Sequence, residues 1–127
     1  MPTAQEARES MIRVRSSRDR ATRKQQKADE RRIRREVRAL RPGMKDAVLR
    51  SIKKRSDAGY SYDEFGVYVY GEESERVRLA AMQEVMGELS SAPYDYKVTQ
   101  SSREGYNGEG NNMSDFYVYH SWTISWE

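Results

Sequence analysis

Phe116-Tyr117-Val118-Tyr119-His120-Ser121-Trp122-Thr123-Ile124-Ser125-Trp126 decides how this chain is read. Phe116, Val118, Trp122, Ile124 and Trp126 fall on one parity, interrupted only by His120. Tyr117, Tyr119, Ser121, Thr123 and Ser125 fall on the other. Alternation of this length predicts an antiparallel strand with one face in the core and one in water.

Working back from that strand, Ser101 to Met113 holds three glycines and three asparagines and reads as a long loop. Tyr94-Asp95-Tyr96-Lys97-Val98-Thr99 alternates as a strand. Ala92-Pro93 closes a helix expected from Glu72 to Ser90, whose stripe is Leu79, Met82, Val85, Met86 and Leu89. Its opening carboxylates, Glu72, Glu73 and Glu75, suit the positive end of the helix dipole. Phe65 to Tyr70 is a β-branched and aromatic strand stopped by Gly71, and Tyr60 to Glu64 reads as a loop. Met44, Val48, Leu49 and Ile52 mark an earlier helix, capped near Gly59 and separated from what precedes it by a break or kink at Arg41-Pro42-Gly43. Residues 41–127 are thus expected to form a small helix–strand–helix–strand–strand α+β module. A right-handed parallel crossover followed by a hairpin would make its three-stranded sheet mixed, with helices on one face.

The chain of 127 residues is 34% charged, with a mean hydropathy of -1.03. Its net charge of +3 conceals a division. Residues 1–57 carry 19 Lys/Arg against 8 Asp/Glu, a net of +11; residues 58–127 carry 4 against 12, a net of −8. All 13 aromatic residues lie in the second part. A basic, non-aromatic segment joined to an acidic, aromatic one points to a polyanion-facing arm on a folded module.

Residues 1–40 are that arm. Thr3-Ala4-Gln5-Glu6 fits a capping box, and Ala4, Ala7, Met11 and Val14 follow at helical spacing. From Arg18 to Arg32 the apolar residues are Ala21 and Ala28 alone. Asp19/Arg23 and Glu30/Arg34 are favourable i,i+4 pairs. The segment is either a helix that is polar all round or a solvated, partly disordered arm. Apolar periodicity resumes at Ile33, Val37 and Leu40.

The nucleic-acid-binding candidates are Arg18, Arg20, Arg23, Lys24, Lys27, Arg31, Arg32, Arg34, Arg35 and Arg38. On a helix they are expected to surround the axis, with Arg31, Arg34, Arg35 and Arg38 adjacent on one side. Arginine outnumbers lysine 17 to 6, and its planar fork pairs bidentately with phosphate. The alternative is docking on the acidic half of this chain or of a neighbouring copy. In composition the arm resembles arginine-rich RNA-binding motifs such as those of phage antiterminators, although no aromatic stacking residue accompanies it. RNA and DNA both remain open as its ligand.

Tyr68, Tyr70, Tyr94, Tyr96, Tyr117 and Tyr119 admit two readings, a base-stacking platform or a protein surface. The half that carries them is net −8, which argues against nucleic acid there. Tyr68, Tyr70, Tyr117 and Tyr119 are therefore taken as a protein interface, for a partner or for self-association.

Catalysis finds little support. His120 is the sole histidine, and its place on the apolar face predicts a core-edge side chain hydrogen-bonded to backbone. Without cysteine, disulfides, thiol chemistry and Cys-based zinc sites are excluded. Gly105-Tyr106-Asn107-Gly108-Glu109-Gly110 has neither the following Lys or Arg nor the strand-to-helix context of a phosphate cradle. No enzymatic activity, metal, cofactor or small-molecule substrate is expected. Met1 to Glu6 has no apolar core of a secretory signal, and no run is long enough to span a membrane, so the cytoplasm is the default location.

Over residues 65–127, a helix, a strand with Tyr96-Lys97-Val98, a polar hairpin and a last strand ending Thr123-Ile124-Ser125-Trp126 resemble small uncharacterised proteins of tailed bacteriophages. That resemblance covers about half the chain and implies a viral setting, host cytoplasm or virion, without a mechanism. The order of elements also resembles small RNA-binding α+β folds of the translation apparatus, an analogy of fold alone. Together these readings predict a non-enzymatic viral accessory protein, its arm on nucleic acid and its module on protein. The competing expectation is a virion or assembly component whose arm docks on neighbouring subunits.

Overall fold

The computed structural model describes residues 2–108 and 116–127, and divides the chain into two compact units, Met1–Arg35 and Glu36–Glu127. It contains α1 (Ala4–Asp57), β1 (Tyr62–Val69), α2 (Glu73–Leu89), β2 (Lys97–Tyr106) and β3 (Phe116–Ser125). The arm expected to end at residue 40 is helical rather than disordered, and the second compact unit begins at Glu36.

The capping box forms: Thr3 Oγ1 accepts from the Glu6 amide at 3.2 Å, and Glu6 Oε2 accepts from the Thr3 amide at 3.4 Å. Of the break or kink expected at Arg41-Pro42-Gly43, the break does not occur, since α1 runs through it with Pro42 inside. Proline removes one helical donor and strains one turn. Buried Val37 before it and buried Val48 and Ile52 after it hold the helix continuous across the defect. At the C-terminus Gly59 takes φ 89°, the left-handed cap expected of it, while the Tyr60 amide donates to Arg55 O at 3.0 Å.

The sheet has the order β1-β3-β2 and is wholly antiparallel, which corrects the mixed sheet. β3 pairs with both neighbours, from Tyr62↔Ser125 to Val69↔Val118 on one side and from Lys97↔Ser125 to Tyr106↔Phe116 on the other. β1 and β2 still run in the same direction, but the last strand inserts between them. Burial explains the order. Trp122 and Ile124 on β3 are 2% and 0% exposed and belong at the centre, whereas Gln100, Ser102 and Glu104 on the same side of β2 are exposed and tolerate an edge.

Strand boundaries shift as well. β1 opens at Tyr62, inside the expected loop of residues 60–64. β2 starts at Lys97 and continues through Tyr106, into the stretch expected to be loop, because β3 offers a ladder along its whole length. Tyr94 and Tyr96 precede the strand. The amides of Tyr94 and Asp95 both donate to Ser91 O in a turn, and Asp95 has φ 53°. The Gly/Asn-rich residues 109–113 lie outside the described residues.

Val48 and Ile52 of α1, Val85, Met86 and Leu89 of α2, and Val67, Trp122 and Ile124 of the sheet form the core. Val77 and Ala81 are buried on α2, while the expected Leu79 and Met82 are only partly so. Phe116 departs from its expected core position. It is 49% exposed and packs on Tyr106 with ring centroids 4.6 Å apart. Buried Asp63 accepts from Ser51 Oγ at 2.6 Å and from the Glu64 amide at 2.8 Å, tying β1 to α1.

Candidate nucleic-acid interface

A continuous α-helix fixes where the arm's cations stand. At about 100° per residue, Arg20, Arg23, Lys24, Lys27, Arg31, Arg34 and Arg35 fall within an arc of about 120°. Asp19, Asp29 and Glu30 fall outside that arc. The candidates therefore form a stripe rather than surrounding the axis, with Arg18 and Arg32 off it. All seven stripe side chains are exposed. From Arg20 to Arg35 the stripe is about 22 Å long at 1.5 Å per residue.

The arm's carboxylates do not neutralise it. Asp29 pairs with the off-stripe Arg32 at 3.7 Å and accepts from Gln25 Nε2 at 3.2 Å. Neither Asp19/Arg23 nor Glu30/Arg34 forms the expected pair, and among the described residues no carboxylate pairs with the seven stripe cations. Arg38 belongs to the second unit, where it is exposed and lines a recess with Arg41, Pro42, Lys45 and Glu88.

Beside that recess, the α1 cations are already engaged. Arg41 reaches Glu84 at 3.3 Å and Glu88 at 3.7 Å, and Lys45 donates to Glu88 at 2.6 Å beneath the ring of Tyr94. The hydrogen bond from Lys45 holds the Glu88 carboxyl below its ordinary range, and the same bond, with Tyr94, holds the Lys45 ammonium above its own.

On the sheet, Tyr68, Tyr70, Tyr117 and Tyr119 do converge on the face turned away from the core. Tyr68 and Tyr119 are register partners with ring centroids 4.4 Å apart; Tyr117 lies 5.3 Å from Tyr68 and 5.5 Å from Tyr70. Tyr94 and Tyr96 are not part of the group, since both pack against the core. Three residues that sequence reasoning missed complete the face. Gly66 and Gly105 lie under the rings of Tyr119 and Tyr117, where a Cβ would overlap ring atoms. The guanidinium of Arg103 sits 5.3 Å from the Tyr119 centroid. The signal was present in the parity of Gly66, Tyr68 and Tyr70, which puts glycine on the tyrosine side.

Among the described residues, little of the acidity of this half is on that face. Among the described strand positions it carries Glu64, against Lys97 and Arg103. Asp63 and Glu104 have the opposite parity, and Glu73, Glu75, Glu84 and Glu88 are on α2. Over the described strand positions, the tyrosine face is thus not itself acidic.

His120 is half-buried on the core side between Val67 and Ser102. Its Nδ1 is buried without a hydrogen-bond partner, so the expected bond to backbone is not formed there. Among the described residues no group of three or more His, Asp or Glu is arranged to hold a metal, and no helix is long and apolar enough to cross a membrane. No protein-family model, curated protein or solved structure matches this chain.

Proposed function

We propose that this chain is a non-enzymatic accessory protein that binds nucleic acid through the basic stripe of α1. One observation carries the reading: seven exposed cations share one side of a helix, with no carboxylate among them. Such a row meets successive phosphates and releases their counterions, giving affinity without dependence on base sequence. The viral setting, in the host cytoplasm or the virion, rests on the resemblance of residues 65–127 to small tailed-phage proteins.

Fluorescence anisotropy with a labelled duplex, titrated across salt concentrations, tests it. If all seven cations engage phosphates, the log–log slope should approach about −6. Arg31, Arg34 and Arg35 together changed to Glu should abolish binding, while off-stripe Arg18→Glu should weaken it much less. Equal losses from the two changes, or retained binding in the triple variant, would overturn the stripe as the site.

A second reading, an assembly component whose arm docks on neighbouring subunits, is favoured by the pairing of Arg41 and Lys45 with Glu84 and Glu88. Acidic α2 already receives basic α1 residues within one chain, and the same kind of ion pair could form between copies. Salt-sensitive self-association, abolished by the same triple change, would favour this reading.

A further inference from the structure

We propose that the outer face of the sheet is a stacking platform for single-stranded nucleic acid, with Tyr68, Tyr70, Tyr117 and Tyr119 as the rings and Arg103 as the phosphate contact. The proposal accepts nucleic acid as the ligand of the chain and adds a second site that discriminates the strand state.

The rings form a contiguous row, Tyr119–Tyr68–Tyr117–Tyr70, with neighbouring centroids 4.4–5.5 Å apart. Glycine beneath two of them is what allows rings to lie over the strands. With side chains at 66 and 105, Tyr119 and Tyr117 would have to stand off the sheet. Tyr68 and Tyr70 remain 47% and 38% exposed, Tyr117 and Tyr119 are half-exposed, and Asn107 Nδ2 donates to the Tyr70 hydroxyl at 2.8 Å at one end of the row. Every base has a π-face, so a row of open rings accepts any unpaired sequence and rejects a duplex, whose bases are already stacked.

Charge and composition favour this occupant over a protein. Arg103 stands over Tyr119 and Lys97 lies further along β2, against Glu64 as the one carboxylate among the described strand positions of this face. Beyond the tyrosines, the two glycines and the charged Glu64, Lys97 and Arg103, the face holds Thr99, Ser101, Ser121, Thr123 and Ser125, and no described aliphatic residue. The buried centre of a protein interface ordinarily packs apolar area and excludes charge. Planar, hydroxyl-tipped rings beside a guanidinium suit a flat ligand with an attached phosphate.

The experiment compares a labelled twelve-nucleotide oligothymidylate with a mixed-sequence duplex of twelve base pairs on the full chain, by anisotropy at moderate salt. Wild-type protein should bind the single strand more tightly. Tyr68→Leu with Tyr70→Leu should lower single-strand affinity about ten-fold and leave duplex affinity nearly unchanged. The stripe variant (Arg31, Arg34 and Arg35 to Glu) should lose duplex binding yet keep a residual, Tyr68-dependent affinity for the single strand. Failure of the arm and failure of the platform are thus read separately. Photocrosslinking of a 5-bromouracil oligonucleotide to wild-type protein, mapped by mass spectrometry, should label the Tyr68 and Tyr117 strands and requires no variant to fold. No single-strand preference, or crosslinks confined to the arm, would overturn the platform. So would self-association lost on Tyr68→Leu without any effect on nucleic acid, which would assign the face to protein.

Discussion

The ring of Tyr119 lies over Gly66, in the space where any other residue would carry its Cβ. Tyr119 pairs in register with Tyr68, two residues further along β1, so its ring reaches diagonally across the strand and still meets Tyr68 at 4.4 Å. Glycine normally weakens a strand; here a cross-strand aromatic ring covers the gap.

Gly66→Ala should therefore separate stability from surface geometry. The atoms met by the new methyl are the far end of a half-exposed ring, which can swing outward. Stability should change by only about 1 kcal/mol. The ring-current shifts that Tyr68 and Tyr119 impose on each other in proton NMR should collapse. Unchanged shifts would mean that the ring does not depend on glycine.

Trp122→Ala should be the most damaging single truncation on β3. Trp122 is 2% exposed in the core with Leu89 and Ile124, and losing so large a buried ring costs about 3–5 kcal/mol. Tyr119→Ala, on the opposite face, should cost roughly 1 kcal/mol. Urea melts of the two variants give the order directly, and a reversed order would invert the assignment of faces.

The Lys45–Glu88 pair predicts a pH dependence whose sign follows from the two shifts. Glu88 is depressed, so its contribution is present above the ordinary carboxylate pKa and is lost as pH falls through the folded value. Lys45 is raised, so its contribution is present below its ordinary pKa and is lost as pH rises through the folded value. Glu88→Gln should lower the melting temperature at neutral pH, and the gap from wild type should close only as pH falls below the ordinary carboxylate range. A gap constant down to strong acid would show that the effect is not ionic.

Fragments test where the folded module begins. A chain of residues 36–127 contains buried Val37 and should unfold cooperatively in urea. A chain of residues 41–127 loses that side chain and should be less stable by about 1.5–3 kcal/mol. Equal midpoints would remove Val37 from the core.

What the amino-acid order determined was periodic and local. Alternation from Phe116 to Trp126 assigned Trp122 and Ile124 to the core and Tyr117 and Tyr119 to the other face, because side chains in a strand alternate whatever the neighbouring strands are. Thr3 with Glu6 marked the first helix end, and Gly59 its last, because caps depend on a few adjacent residues. Tertiary structure decided what depends on distant partners. β3 became the central strand because its inner face could be buried from both sides, which turned the expected mixed sheet antiparallel. Pro42 remained helical because buried Val37, Val48 and Ile52 outweigh one lost hydrogen bond. The stripe needed the arm to be helical through Arg18–Arg35 rather than a solvated, irregular segment, since seven cations share a side only when the helical phase is kept. Net charge likewise sums over a segment without regard to direction. Packing in three dimensions set Glu84 and Glu88 against Arg41 and Lys45 and left Arg103 beside Tyr119.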